Sequence, residues 1–355
     1  MNSEVRAAVL TAPGSLELRD LEGPGAPAPG QVLLRPEAVG ICGSDLHYFD
    51  GDIAALTGDS AWFPRILGHE FSAIVEAVGE SAGRNRLPVG SRVAVWPLET
   101  CGTCRACVHG RANACYDMRI IGVHRDGALS QRFLVQESSV FPVAGTRPEV
   151  AAFVEPMSVA IHALARVGIG EDHPATGMRI AVLGGGPIGQ AVALAANIWG
   201  AATAVVDPKE DRRILAQQLG AQLALDVDEE SAAQELRKWA GGFGPDLVID
   251  TTGIPSVLAQ AVDLVARGGD VVVVGLTGGT APFSSGALPE KEVSIHGSSC
   301  AALDDFAAAV RLVEANNEAV AAMVSHIIPF EQAKDAFALA REAAEGTMKV
   351  VICLP

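Results

Sequence analysis

Four cysteines lie close together in the chain, at positions whose side chains could bind a metal. They are Cys101, Cys104, Cys107 and Cys115. Four thiolates complete the tetrahedral shell of a structural Zn²⁺. A bacterial ferredoxin segment would end in C-x3-C-P, whereas seven residues separate Cys107 from Cys115 here. The spacing therefore favours a structural zinc lobe, at about residues 97–117, over an iron–sulfur cluster or free surface thiols.

A second set of metal-binding residue types lies upstream. Cys42 belongs to the segment GICGSDLHY (Gly40–Tyr48), and His69 and Glu70 follow Gly68. Thiolate, imidazole and carboxylate all bind zinc, and three protein ligands leave a fourth position open for catalysis. Taken singly, the three residues also fit a core thiol, a buried histidine and a surface carboxylate. Their joint occurrence predicts a catalytic zinc site.

A glycine-rich motif downstream is typical of a nucleotide site. Its residues are Gly184, Gly186, Pro187, Ile188 and Gly189. The motif follows an apolar strand-like segment and opens a helix, and Asp207 ends the next predicted strand. Glycines allow close approach of a pyrophosphate to the helix N-terminus, and the acid accepts hydrogen bonds from a ribose. Asp207 would repel a 2′-phosphate, so NAD is predicted over NADP. The nearby Arg212 is an argument for NADP, because an arginine can accommodate that phosphate. The alternative is a tight strand–helix turn without a ligand.

The composition narrows the classes of partner. The formal net charge of −16 argues against nucleic acid and against an anionic membrane surface, both of which attract clustered Lys and Arg. Seven cysteines, four of them clustered, do not suggest a secreted disulfide framework, so we expect reduced thiols and a cytoplasmic location. Ile180–Val206 has no charged residue, but its glycines fit a strand–turn–helix–strand better than a membrane helix.

The pattern of apolar residues changes along the chain and predicts two domains. Up to about residue 150, short β-type runs alternate with turn signals, as in a compact, mostly β domain. Later apolar strands alternate with helices, as in a parallel sheet covered on both faces. The predicted strands are Gln31–Pro36, Ser72–Val78, Arg92–Val95, Gln131–Val135, Arg179–Leu183, Ala204–Asp207, Asp246–Asp250 and Asp270–Gly275. The predicted helices include Arg212–Leu219, Ser256–Ala266, Leu303–Asn316 and Glu331–Glu345. A last apolar run, Met348–Leu354, could return to the first domain.

Together and in this order, the motifs resemble those of the zinc-containing medium-chain dehydrogenase/reductase family over essentially the whole chain. They are Gly40–Tyr48, Gly68–Glu70, Cys101–Cys115, VEP at Val154–Pro156, and Gly184–Gly189 with Asp207. The chain is most similar to the polyol, threonine and sugar-acid branch, which includes sorbitol dehydrogenases and L-galactonate and L-idonate 5-dehydrogenases. The alcohol dehydrogenase branch has a cysteine where Glu155 stands here. The resemblance implies an α/β fold: a GroES-like, mostly β catalytic domain (1–156), a Rossmann domain with a doubly wound parallel sheet (157–296), and a return to the catalytic domain (297–355).

The same resemblance implies roles for individual residues. The catalytic zinc would be held by Cys42, His69 and Glu70, with Glu155 either a further ligand or holding the zinc-bound water. Ser44 and His47 match the proton relay, which runs through the cofactor ribose, and Tyr48 matches a substrate-side position. Implied cofactor contacts are Ile188, Asp207, Arg212, Val274, Gly275 and Leu276.

One departure from the sorbitol dehydrogenases concerns the substrate. Those enzymes carry a polyol-contacting arginine where Ser298-Ser299-Cys300 stands here, which makes a strict sorbitol assignment doubtful. Segments such as Ile121–Gly127 are more like bacterial sugar-acid dehydrogenases. His124 and Arg125 could pair with a substrate carboxylate there, or form a solvated loop.

The predicted activity is therefore reversible oxidation of a secondary alcohol of a sugar acid or polyol to a ketone. Two zinc ions per chain and NAD are the expected cofactors, a homotetramer or homodimer is the expected assembly, and neither nucleic acid nor membrane is an expected partner. A threonine or small-diol dehydrogenase of the same family is the alternative. A zinc-free quinone reductase lacks these cysteines and the Cys/His pair. A non-catalytic zinc- and NAD-binding scaffold is opposed by the complete set of Cys42, Ser44, His47, His69 and Glu70.

Overall fold

The computed structural model describes residues 4–52, 62–80, 87–227, 229–276 and 279–355. The chain forms two compact units, one comprising Met1–Glu155 with Ala302–Pro355 and the other Pro156–Ala301. Within the described ranges, no helix is both long and apolar enough to cross a membrane.

The first unit is built mainly from short strands, numbered here along the whole chain. They are β1 Glu4–Ala12, β2 Ser15–Glu22, β3 Gln31–Gly40, β4 Arg65–Ile66, β5 Glu70–Val78, β6 Arg92–Val95, β7 Leu98–Glu99, β8 Arg119–Ile120, β9 Phe133–Gln136, β10 Val140–Pro142, β17 Val324–Pro329 and β18 Lys349–Cys353. Alternate side chains of β3, from Val32 to Ala38, are buried, as expected for a strand with one face on the core.

Three sheets organise these strands. The largest has the order β10-β6-β5-β3-β18-β17, with β9 also pairing with β3, while β2-β1-β4 and β7-β8 form smaller sheets. The C-terminal apolar run contains β18, which pairs antiparallel with β3 so that Val351 lies opposite Gly40. The end of the chain therefore lies beside the segment that leads into Cys42.

Several helices in the described part of the first unit carry or flank candidate site residues. They are α1 Gly43–Asp50, α2 Arg105–Val108, α3 Pro148–Ala152, α10 Leu303–Ala315, α11 Asn317–Ala321 and α12 Ala333–Glu342. Helix α4, Val154–Ala165, begins in this unit and continues into the second. The predicted helix Glu331–Glu345 is shorter than expected, because a 3-10 turn precedes α12 and Ala343 ends it in a left-handed conformation.

The second unit contains a six-stranded sheet, all parallel, in the order β13-β12-β11-β14-β15-β16. Its strands are β11 Arg179–Leu183, β12 Ala202–Val206, β13 Leu223–Leu225, β14 Leu247–Asp250, β15 Asp270–Val273 and β16 Ser294–Gly297. Its helices are α5 Pro187–Ile198, α6 Glu210–Gln218, α7 Glu229–Trp239, α8 Pro255–Leu264 and α9 Ala287–Lys291. The strand order reverses between β11 and β14, and ligands of such sheets bind outside the carboxyl ends of the strands at this point. The predicted α/β class is confirmed.

Candidate zinc and nucleotide sites

Cys42, His69 and Glu70 meet because β3 and β5 are paired. Gly40 at the end of β3 lies opposite Glu70 at the start of β5, Cys42 precedes α1 and His69 precedes β5. One potential ligand atom from each of the three lies within 4.8 Å of the others. His69 and Glu70 are buried. A thiolate, an imidazole and a carboxylate converging in this way fit a zinc ion with one coordination position left open.

The backbone of Gly40 makes room for the Glu70 carboxylate. A Cβ atom at position 40 would lie 2.4 Å from Oε2 of Glu70. The carboxylate therefore occupies space that any other residue at this position would fill. Glycine at position 40 is thus part of the construction of the ligand cluster.

Asp45 lies beside two of the three candidate ligands. Its buried carboxylate accepts a hydrogen bond from the Cys42 backbone N–H through Oδ2 (3.0 Å), and its Oδ1 lies 3.5 Å from Nδ1 of His69. Burial alone would lower the pKa of His69, but the Asp45 carboxylate and the Cys42 thiolate outweigh it and raise that pKa. A carboxylate at Nδ1 directs Nε2 to a metal. The motif analysis missed Asp45, although an acid three residues after a helix N-cap is a recognisable capping signal.

Lys349, at the start of β18, is the second residue that the motifs did not reveal. Its ammonium donates to both carboxylate oxygens of Glu70, at 2.8 and 2.7 Å, and to the Ile41 carbonyl at 3.0 Å. Burial alone would lower the pKa of Lys349, but Glu70 and Cys42 outweigh it and raise that pKa. The sequence did contain a sign of this role, because a lysine is the first residue of an otherwise apolar strand, and lysines are seldom buried unless paired.

Glu155 is partly buried near the same cluster but is not part of the set within ligand distance. Burial raises its pKa to about 7, with His69 and Lys349 acting in the opposite direction and Glu70 adding to the rise. Among the described residues, the convergent set is Cys42, His69 and Glu70. The geometry thus favours Glu70 over Glu155 as the direct metal ligand.

The pKa of Glu155 predicts a pH effect on the zinc-free protein. The ordinary pKa is 4.5 and the folded value is about 7, so the unfolded carboxyl ionises first as pH rises. Its contribution to stability is full below about pH 4.5 and is lost by about pH 7, amounting to up to about 3 kcal/mol. The difference in unfolding free energy between chelator-treated wild type and Glu155→Gln should change across this window. A difference that stays constant with pH would contradict the assignment.

The predicted relay residues lie on one helix. Ser44 and His47 are three positions apart on α1, so they share a side of it. His47 is half-exposed, and its Nδ1 lies 2.9 Å from Oδ1 of Asp52. Tyr48, at the predicted substrate-side position, is buried, and the guanidinium carbon of Arg65 lies 5.7 Å from its ring centroid.

The hypothesis that His124 and Arg125 bind a substrate carboxylate is not supported by their contacts. Arg125 pairs with Glu99 at 2.7 Å, donates to the Leu134 carbonyl at 2.8 Å and lies over the Phe133 ring. Nδ1 of His124 accepts a hydrogen bond from the Ile120 backbone. The Arg125 cation is already neutralised within the protein, so we interpret this segment as structural.

The four clustered cysteines converge as the spacing predicts. One sulfur from each lies within 4.8 Å of the others. Cys107 lies in α2, and the other three lie next to α2, the 3-10 turn Ala112–Ala114 or β7. Backbone N–H groups of Thr103 and Cys104 lower the pKa of Cys101 to about 6, whereas desolvation raises that of Cys107 to about 12. Four convergent sulfurs fit a closed structural zinc site.

The glycine motif forms the turn between β11 and α5. Gly184 has φ of +96°, and a Cβ atom at Gly189 would lie 1.8 Å from the Gly184 carbonyl oxygen. Gly186 is the N-cap and Pro187 the first residue of the helix. The N-terminus of α5 is thereby presented beside the loop, as pyrophosphate binding requires.

Asp207, directly after β12, is buried at the same edge of the sheet. Its carboxylate accepts hydrogen bonds from the backbone of Gly185 (2.7 Å) and Lys209 (2.9 Å). Arg212 approaches the same carboxylate at 3.4 Å. The Asp207 carboxylate is thus fixed against the glycine loop. It also partly neutralises Arg212, which weakens the case for NADP.

A cavity of about 710 Å³ opens beside these residues within the second unit. Its lining includes Gly184, Gly186, Asp207, Arg212, Thr251 and Thr252. The predicted contacts Pro187, Ile188, Gly189, Val274, Gly275 and Leu276 are not part of that lining. Sequence analysis missed Gln190, which is fully buried and donates to the carbonyls of Gly185 and Arg212, tying the loop to α6.

Two protein-family models match the chain. The family described as alcohol dehydrogenase GroES-like domain matches residues 28–145, and the zinc-binding dehydrogenase family matches residues 187–315. L-galactonate-5-dehydrogenase of Escherichia coli K12 is 36% identical over 86% of each chain. Sorbitol dehydrogenase of Bacillus subtilis is 37% identical over 75% of this chain and 74% of its own.

A solved structure extends the likeness to the whole chain. The alcohol dehydrogenase rspB of Escherichia coli, solved with NADH, has a TM-score of 0.88 and 26% identity over 99% of both chains. The GroES-like and Rossmann architecture implied by the sequence motifs is confirmed by these matches.

Proposed function

Since this chain belongs to the zinc-containing medium-chain alcohol dehydrogenase family, we propose that it reversibly oxidises a secondary alcohol of a sugar acid or polyol to a ketone, with NAD as the hydride acceptor. The observation that carries the proposal is the buried convergence of Cys42, His69 and Glu70. Three protein ligands would leave a fourth coordination position of a bound zinc for a substrate oxygen.

The chain's own residues supply ligation, orientation and proton transfer. Cys42 Sγ, His69 Nε2 and a Glu70 oxygen would hold the catalytic zinc, and Asp45 keeps His69 in the required orientation. When bound, zinc polarises the substrate hydroxyl and NAD accepts the hydride.

The proton would leave through α1. Ser44 Oγ would accept it near the substrate while giving up its own proton, and the His47 imidazole would release a proton to solvent. Asp52, at 2.9 Å from Nδ1 of His47, holds this ring and leaves Nε2 for the transfer.

Asp207 predicts a measurable preference for NAD. Its carboxylate would bind the adenosine ribose hydroxyls and repel a 2′-phosphate. Replacing it by serine should lower the ratio of kcat/KM for NAD to kcat/KM for NADP by on the order of 100-fold, the size of one charged hydrogen bond. Asp226→Ser, which removes an exposed carboxylate paired with Arg213, should leave the ratio unchanged. A wild-type preference for NADP would overturn the assignment.

The proposed substrate class rests on the named relatives and on one difference from sorbitol dehydrogenases, the absence of an arginine. L-galactonate-5-dehydrogenase is a sugar-acid enzyme by name and sorbitol dehydrogenase a polyol enzyme. The Ser298-Ser299-Cys300 segment lacks the polyol-contacting arginine of sorbitol dehydrogenases, which favours a sugar acid. NADH formation by the zinc-loaded protein on a panel of aldonates and polyols tests this: aldonates should give the higher kcat/KM.

Three further assignments belong to the same proposal. The unit Met1–Glu155 with Ala302–Pro355 would be the catalytic domain, and Pro156–Ala301 the cofactor domain. We expect a homotetramer or homodimer, which light scattering would distinguish.

All seven cysteines are free of disulfides, which supports a reducing, cytoplasmic location.

A further inference from the structure

We propose that Lys349 restrains Glu70 so that it remains a weak, exchangeable metal ligand and the fourth coordination position stays open to substrate. The inference rests on the proposed function, because it concerns the same metal site. It assigns to the C-terminal strand a positioning role that none of the sequence motifs indicated.

The first support is that all three N–H donors of the Lys349 ammonium have hydrogen-bond acceptors. An ammonium has three N–H donors, and here they go to Oε1 of Glu70, Oε2 of Glu70 and the carbonyl of Ile41. Both partners of the ion pair are about 95% or more buried. Each Glu70 oxygen therefore shares one of its acceptor sites with this cation and keeps another for a metal.

The second support is that the backbone fixes the lysine in place. The Ile41 N–H donates to the Val350 carbonyl at 3.0 Å, and Val351 lies opposite Gly40 in the β3–β18 ladder. Lys349 therefore enters the cluster from a strand hydrogen-bonded to the segment that carries Cys42. The ladder fixes the Lys349 backbone beside the cluster, and the three hydrogen bonds of its ammonium hold the side chain there.

The third support is the confinement of Glu70 on its other side. Its Oε2 occupies the space where a Cβ atom of residue 40 would be. The carboxylate is held between the Gly40 backbone and the lysine.

The electrostatic consequence has a definite sign. A carboxylate shared with an ammonium is a poorer donor to a metal, and the cation also repels the metal charge. Deleting the ammonium leaves a buried, unpaired carboxylate, which is strongly unfavourable unless a metal neutralises it. Zinc should then be held more tightly, while the closer Glu70 obstructs the position that substrate needs.

The test is zinc release to a chelator, measured alongside turnover. Zinc-loaded Lys349→Met should release the catalytic zinc at least about tenfold more slowly than wild type while kcat falls by on the order of tenfold or more, each tenfold corresponding to about 1.4 kcal/mol. Lys349→Arg keeps the cation and should release zinc at nearly the wild-type rate. Lys291→Met removes another lysine that binds backbone carbonyls and should leave the release rate unchanged.

Two zinc sites should release zinc in two kinetic phases. A second variant shows which phase belongs to which site. Cys42→Ser should lack the phase due to the catalytic zinc and keep that of the four-cysteine lobe. If Cys42→Ser retains both phases, the proposed metal site itself fails. Should Lys349→Met not fold, Lys349→Gln replaces it, because it removes the charge and retains a donor for Ile41. Faster or unchanged release in a folded, charge-deleted variant overturns the inference.

Discussion

His69→Ala is expected to lower kcat/KM for NAD reduction by on the order of a thousandfold or more. The imidazole is one of three convergent ligands, and losing the metal removes several kcal/mol of stabilisation of the reacting oxygen. The variant should also contain one zinc per chain where the wild type contains two, because the four-cysteine lobe is untouched.

Zinc content and steady-state kinetics of the purified variant provide this measurement. NADH binding should remain close to that of the wild type, since the glycine loop and Asp207 belong to the other unit. His326→Ala, which alters a partly buried histidine on β17, is the matched control and should retain activity. Full activity in His69→Ala would rule out the assigned catalytic site.

Cys104→Ser should produce the largest loss of stability. The four-cysteine lobe is held by short helical turns and a two-stranded ladder with few buried residues. Zinc binding in small cysteine-rich peptides contributes roughly 10–16 kcal/mol of apparent free energy. Losing one thiolate should remove this zinc and unfold the lobe, lowering the thermal midpoint and exposing residues 101–115 to proteolysis.

A matched substitution separates metal loss from the loss of a thiol. Cys353→Ser changes a half-buried cysteine that lies outside both clusters, and it should keep both zinc ions and resist proteolysis at the lobe. A Cys104→Ser protein that still binds two zinc ions per chain would show that the lobe is not a zinc site.

The sequence predicted best what depends on local patterns. Arg92–Val95 and Arg179–Leu183 were predicted with the bounds that the structure shows, because each is a short apolar run between turn signals. Helix α6 begins at Glu210, two residues before the predicted Arg212, since charged residues at a helix start carry no apolar periodicity.

Long-range contacts could not be predicted in the same way. Lys349 is 279 positions from Glu70 in sequence, and only the pairing of β18 with β3 brings them together. Arg125 is a second example. Its charge suggested that it could bind a substrate carboxylate, but in the structure Glu99 already neutralises it. Motifs name the residue types of a site, while the charge balance around them depends on tertiary pairing.

The most direct test of the account is NADH formation by the zinc-loaded protein on a panel of aldonates and polyols, repeated after removal of the catalytic zinc. We predict turnover on at least one aldonate with NAD, loss of that turnover when zinc is removed, and recovery when it is restored. Silence across the panel from protein containing two zinc ions per chain, or turnover that survives loss of the Cys42–His69–Glu70 metal, would contradict it.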